Sequence, residues 1–242
     1  MIARTRTVRD IALENSASIR VFEHFGIDYC CGGRKPLEDA CAASQIEVDA
    51  VIAALEAAAL QPAESNPDWS RLSLDALVAH IVTVHHGYVR AELPRLAFLG
   101  DKVVTRHGAD RPEILAIRAA LAHLDEELTS HLLKEEKVLF PYIAQFERSR
   151  TGGSSAPQAC FCKVEDPIAM MVEEHDAAGS LLARMRELSG GFTPPEGACP
   201  TYRAFYDGLR EFEADLHQHI HLENNVLFPR AIEMGGSRTT RA

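Results

Sequence analysis

One eleven-residue pattern occurs twice. His131-Leu-Leu-Lys-Glu135-Glu-Lys-Val138-Leu139-Phe140-Pro141 and His219-Ile-His-Leu-Glu223-Asn-Asn-Val226-Leu227-Phe228-Pro229 share the pattern H-x-x-x-E-x-x-V-L-F-P at a displacement of 88 residues. Agreement at that many positions marks an internal duplication, so whatever one copy needs as a partner the other can supply. The comparison also separates neighbouring polar residues. Glu136 aligns with Asn224, and His217 and His221 align with Thr129 and Leu133, so only His131/His219 and Glu135/Glu223 keep their chemistry in both copies. Residues four apart on a helix share a face, with Cβ atoms roughly 5–6 Å apart. An imidazole and a carboxylate so placed can address one cation, or the carboxylate can reach a second.

Each copy is preceded by a further histidine. His175 lies 44 residues before His219, and His86 lies 45 before His131; His85, at 46, competes, and its apolar neighbours also suit an inward face. The spacing favours His86. The set is then His86, His131, Glu135, His175, His219 and Glu223. A single His-x-x-x-Glu is ordinarily a surface pair worth a few tenths of a kcal/mol; the duplication and the upstream histidines are what favour a metal. A structural zinc site usually closes with four ligands. Six nitrogen and carboxylate donors without a thiolate suit a pair of iron or manganese ions bridged by the two glutamates, and iron is the stronger reading. Positions left open on such a pair can take a bridging oxygen or a small diatomic ligand.

The rest of the chain reads as helices. Four long segments carry apolar residues at helical spacing: Ser73 to about Leu99, Asp110-Arg111-Pro112 to about Arg148, Asp166-Pro167 to before Gly190-Gly191, and Pro200 to about Met234. With no strand candidate between them they predict a helical bundle over 72–234. A small helical domain is expected over 1–62, with Ile11, Val21, Phe22 and Phe25 on a helical pair and another helix near Glu47–Leu60. Gln61 to Pro67 reads as a linker and Gly152 to Pro157 as a loop. The net charge of −10 argues against nucleic acid as a partner. No apolar run approaches the roughly 20 residues a bilayer requires, and residues 1–10 do not read as a secretory signal. A cytoplasmic location with reduced thiols is expected. The small domain has few large apolar residues, so a homodimer is plausible.

Between the predicted helices of the small domain stands Asp28-Tyr29-Cys30-Cys31-Gly32-Gly33, whose glycines suggest accessible thiols suited to soft metals and redox chemistry. Cys160-Phe161-Cys162 reads as a surface pair. Glu127 and Glu174 are candidates to support the ligands or to line a route for iron; His24, His80, His107 and His123 receive no assignment.

Residues 75–232 resemble the hemerythrin-like H-H-E cation-binding domain, an all-α four-helix bundle. The Cys30-Cys31 segment resembles the small leading domain of the iron-sulfur cluster repair di-iron proteins, the repair-of-iron-centres family. The resemblance implies a non-haem di-iron centre, oxo- and carboxylate-bridged, with ligands His86, His131, Glu135, His175, His219 and Glu223; Glu-Leu-Pro at 92–94 supports His86. It implies protection against nitric oxide and oxidants and repair of damaged iron-sulfur proteins by supply of iron, with nitric oxide or dioxygen as small ligand. Cys30 and Cys31 would then receive iron, pass electrons, or both. Binding or reduction of nitric oxide at the irons is the alternative function. Oxygen-carrying hemerythrins use more histidines than these four, which speaks against an oxygen carrier.

Overall fold

The computed structural model describes residues 2–15, 17–60, 69–150, 161 and 163–236. The expected linker, the 152–157 loop, Cys160 and Cys162 lie outside the described residues. No β-strand occurs among those described, only an isolated bridge between Thr7 and Pro36. The chain divides into two compact units, residues 1–72 with 220–229 and residues 73–219 with 230–242.

In the smaller unit, α1 (Val8–Glu14) opens on Thr7, whose hydroxyl accepts the Asp10 N–H and so satisfies one of the donors a helix start leaves over. Helices α2 (Ala17–Phe25) and α4 (Val48–Ala59) pack together, with the short α3 (Leu37–Ala43) beside α4. Phe22, Leu37, Val51 and Leu55 form the core. Between α2 and α3 the chain makes the cysteine turn. The Asp28 carboxylate accepts the backbone N–H groups of Cys30, Cys31 and Gly32 at 3.0, 2.9 and 2.8 Å. Gly33 is required by close approach, because a Cβ there would lie 2.6 Å from the Tyr29 carbonyl oxygen.

Four helical rods follow, the fourth contributing residues 220–229 to the smaller unit and its remainder to the larger. The first joins α5 (Leu74–Ile81) to α6 (Gly87–His107), and the second joins α7 (Pro112–Lys134) to α8 (Phe140–Arg150). The third is α9 (Glu165–Leu188) alone, and the fourth joins α10 (Pro200–His221) to α11 (Phe228–Gly236). Ser73 caps α5 through the Ala76 N–H, and the Glu147 carboxylate of α8 takes the two donors before it, from Leu74 and Asp75, at 2.8 and 3.0 Å. Buried residues follow the helical period: Ile114, Ile117, Leu121, Leu124, Leu128 and Leu132 on α7, and Ile168, Met171, Ala178, Leu182 and Met185 on α9. His131 and His175 lie within those stripes. Gly190 and Gly191, at φ 59° and 74°, end α9 in the left-handed region that glycine tolerates.

The first rod runs on to His107 rather than stopping near Leu99. Gly100 does not break it, because there the glycine makes room: a Cβ would meet Arg118 Cδ at 2.9 Å and Phe205 Cζ at 3.1 Å.

Three rods share a feature that helical periodicity did not predict. Where α5 meets α6, α7 meets α8 and α10 meets α11, the backbone widens into one π-helical turn, at Val82–His86, Glu135–Leu139 and Leu222–Leu227. There Gly87 N–H donates to Val82 O, Phe140 N–H to Glu135 O and Phe228 N–H to Glu223 O, five residues back instead of four. Such turns recur at functional sites. Pro141 and Pro229, having no N–H to donate, stand where the ladder returns to its ordinary spacing.

Candidate metal centre

Each widened turn holds a residue of the duplicated constellation. His86 closes the first, Glu135 opens the second and Glu223 stands second in the third; His131 and His219 lie one helical turn before the two glutamates. Glu223 is carried on the same uninterrupted rod as His219. The six side chains are buried: His86, Glu135, His219 and Glu223 are 0% exposed, His175 2% and His131 3%.

They form two interlocking groups. His86, Glu135, His219 and Glu223 offer ligand atoms all within 4.8 Å of one another, and so do His131, Glu135, His175 and Glu223. Both glutamates belong to both groups. His86 Nε2 lies 3.2 Å from His219 Nε2 and 3.4 Å from Glu135 Oε2. Correspondingly, His131 Nε2 lies 3.0 Å from His175 Nε2 and 3.4 Å from Glu135 Oε2.

The outer nitrogens show what those inner atoms are for. His86 Nδ1 is 2.7 Å from Glu136 Oε1, and His131 Nδ1 is 2.8 Å from Glu174 Oε2. An ionised carboxylate only accepts, so each imidazole donates from Nδ1, and in the neutral ring the lone pair then sits on the inward-facing Nε2. Lone pairs and carboxylate oxygens then face one another in a buried space, an arrangement that a cation between them makes favourable. The donor set therefore fits a metal. Burial opposes the charge on Glu136, but hydrogen bonds from His86 and Arg90 outweigh it and hold the carboxyl below its ordinary range. Glu174 behaves alike: burial opposes its charge, and Lys134 and His131 outweigh it.

His85 lies outside both groups. Its ring stacks on His219 with centroids 5.7 Å apart, and its Nδ1 is 3.0 Å from Asp215 Oδ1. Glu127, expected as a support, is half-buried and its carboxylate lies 3.2 Å from His123 Nε2. Glu136, which the repeat comparison set aside because its counterpart is Asn224, is the residue that orients His86. A carboxylate next to a ligand candidate in both Glu135-Glu136 and Glu174-His175 was the available signal. Among the unassigned histidines, His80 packs edge-on against His85, and His107 Nε2 is 3.6 Å from Cys199 Sγ.

Cys30 and Cys31 form a separate group with Asp28, their ligand atoms within 4.8 Å. The two sulfurs are 3.8 Å apart. The expectation of two accessible thiols does not hold: Cys31 is half-buried, but Cys30 is 3% exposed. Its hydrogen bond to Cys31, burial and the nearby Asp28 carboxylate raise its pKa well above the ordinary thiol range. The Asp28 carboxylate folds the turn inward around Cys30, which the glycines alone did not reveal.

Comparison with known proteins agrees with this geometry. The hemerythrin HHE cation binding domain matches residues 77–231, and a domain of unknown function (DUF542) matches residues 4–59. The chain is 38% identical over 230 residues to the iron-sulfur cluster repair protein YtfE of Yersinia pseudotuberculosis, covering 95% of this chain and 97% of that protein. The YtfE protein of Pectobacterium carotovorum is 38% identical over 234 residues, 96% of this chain and 99% of its own. That of Yersinia pestis is 37% identical over 229 residues, 95% and 97%.

The chain belongs to the YtfE iron-sulfur cluster repair family. In this family member the cation-binding domain spans the four rods that carry the His/Glu groups, and the leading domain carries the cysteine turn. No described helix is long and apolar enough to cross a membrane.

Proposed function

We propose that this family member holds two iron ions and acts in the repair of damaged iron-sulfur clusters by supplying iron. In this reading His86 and His219 bind one ion, His131 and His175 the other, and Glu135 and Glu223 serve both. The observation that carries it is the sharing of both glutamates by two buried donor groups. A single-metal site would need neither the second pair of histidines nor a carboxylate common to both groups. When bound, an iron pair supplies redox chemistry and open positions for a small ligand such as nitric oxide or dioxygen.

The protein's own contribution is to hold the inner nitrogens in the metal-binding tautomer through Glu136 and Glu174. The apolar stripes of α7 and α9 keep bulk water from the donors. Two features give iron a way to be released rather than locked in: the donors are neutral imidazoles instead of thiolates, and the ligand-bearing turns are widened and less regularly bonded. In this reading Cys30, Cys31 and Asp28, whose ligand atoms lie within 4.8 Å of one another, receive an iron ion as cargo. The free thiols at Cys30, Cys31, Cys41 and Cys199 suit a reducing compartment such as the cytoplasm.

The test has two parts. Metal analysis of the purified chain is expected to find two irons per chain, and one zinc per chain would refute the reading. The iron-loaded protein is then incubated anaerobically with a dehydratase whose cluster has been damaged. Recovery of dehydratase activity with loss of iron from this protein supports donation. Nitrous oxide formed from nitric oxide without iron loss would instead make it a reductase.

A further inference from the structure

The two copies of the motif diverge at the two positions after the glutamate: Glu136-Lys137 in the first, Asn224-Asn225 in the second. In the first copy that position serves His86. In the second both positions serve the cysteine turn. Asn225 is buried, and its Nδ2 lies 3.2 Å from Tyr29 O, 3.4 Å from Cys30 O and 3.0 Å from His221 Nδ1. Asn224 Nδ2 reaches Cys30 O at 3.5 Å. Arg9 closes the arrangement from the other side: its guanidinium donates to Asn225 O at 2.9 Å, and its backbone N–H donates to Gly33 O at 2.7 Å. The Tyr29 ring lies against His221, with centroids 5.4 Å apart. All these groups belong to the smaller unit.

His221 and Asn225 stand two residues before and two after Glu223, and Asn225 shares the widened turn Leu222–Leu227 with it. Both side chains therefore project from one six-residue segment with a shifted hydrogen-bond ladder, of the kind found at functional sites. We infer that Asn225 is a positioning residue that couples the Cys30–Cys31 turn to Glu223, so that the seating of Glu223 on metal and the closure of the turn over Cys30 favour each other. The inference rests on the proposed metal centre and adds to it a physical link between Glu223 and the thiols. Reciprocity is a thermodynamic requirement of such a link: if the closed turn helps to seat Glu223, then metal on Glu223 helps to close the turn.

The experiment uses the full chain, either loaded to two metal ions per chain so that none is left over for the cysteine group, or chelator-stripped, and follows alkylation of Cys30 by peptide mass mapping. Cys41, buried in the same unit on α3, is the internal control. In the unsubstituted chain, stripping the metal is expected to speed Cys30 alkylation about 5- to 150-fold, the range of ordinary coupling energies, with Cys41 unchanged. Asn225→Asp keeps the shape and replaces the donor by an oxygen that faces two carbonyl oxygens. It is expected to make Cys30 react as fast with metal bound as without. Equal protection of Cys30 in the loaded and stripped unsubstituted chain overturns the inference, and so does a parallel rise at Cys41, which would mean general loosening. Should Asn225→Asp fail to fold, the loaded-against-stripped comparison decides alone. A chain with two irons and an indifferent Cys30 overturns only the coupling; a chain that takes up no metal overturns the proposed function with it.

Discussion

Removing Glu136 should loosen one metal and spare the other. Its carboxylate holds His86 Nδ1 at 2.7 Å and is in turn held by Arg90 at 2.7 Å. In Glu136→Ala the imidazole is free to place its N–H on Nε2, where it would point at the metal position instead of a lone pair. Loss of such an outer partner typically costs 10- to 100-fold in metal affinity, or about 1.4–2.8 kcal/mol. The Glu136 side chain is 21% exposed and Arg90 51%. Solvent therefore screens the outer arm, which adds at most about 1 kcal/mol, and the effect belongs in the lower half of the range, about 10- to 30-fold. Glu174 holds His131 in the mirror position, so Glu174→Ala should produce a loss of the same size on the other ion. The assay is iron release to a graded chelator, resolved into two steps, with Mössbauer spectra identifying the ion that leaves. Each variant is expected to advance one step only, and Glu136→Gln, which can still accept from Nδ1, should recover part of the loss. If both steps move equally in both variants, or neither moves, the pairing of one carboxylate with one metal is wrong.

Other substitutions follow from the same geometry. Glu135→Ala and Glu223→Ala each remove a carboxylate common to both groups and are expected to lower iron from two per chain to well below one while far-UV circular dichroism stays helical; retention of one full equivalent would contradict the sharing. His86→Ala should forfeit at least one iron and His85→Ala neither, as metal analysis of the two purified variants would show. Because Cys30 titrates well above the ordinary thiol range, its thiolate is scarce until the pH rises past that range. At pH 8, iodoacetamide should therefore modify Cys31 first in the folded chain, and peptide mapping that found Cys30 first would refute its burial. Gly33→Ala would set a Cβ 2.6 Å from the Tyr29 carbonyl oxygen. Backbone must shift to relieve that contact, at a cost of about 1–3 kcal/mol, visible as a lower thermal midpoint together with faster Cys30 alkylation.

Local periodicity made much of this molecule readable in one dimension. A rod shows itself through apolar residues every three or four positions, and His-x-x-x-Glu at one turn's spacing places two donors on one face wherever the helix ends up; both are properties of the helix alone. The duplication then implied that two such faces meet. What the sequence could not express was anything dependent on which distant residue arrives at a given point. His85 and His86 both suit an inward face, and only packing brings His86 to His219 and leaves His85 with Asp215. Glu136 looked expendable because it has no counterpart in the second copy, yet its partner lies fifty positions away on another rod. The widened turns come from hydrogen-bond register, which the F-P prolines hint at in two rods and nothing marks in the first. Cys30 was expected to be open because glycines flank it, and it is closed because the Asp28 carboxylate and the second copy's asparagine gather the turn around it. Helix and spacing are short-range and survive in any context; tautomer, burial and thiol reactivity are set by neighbours that only the folded chain supplies.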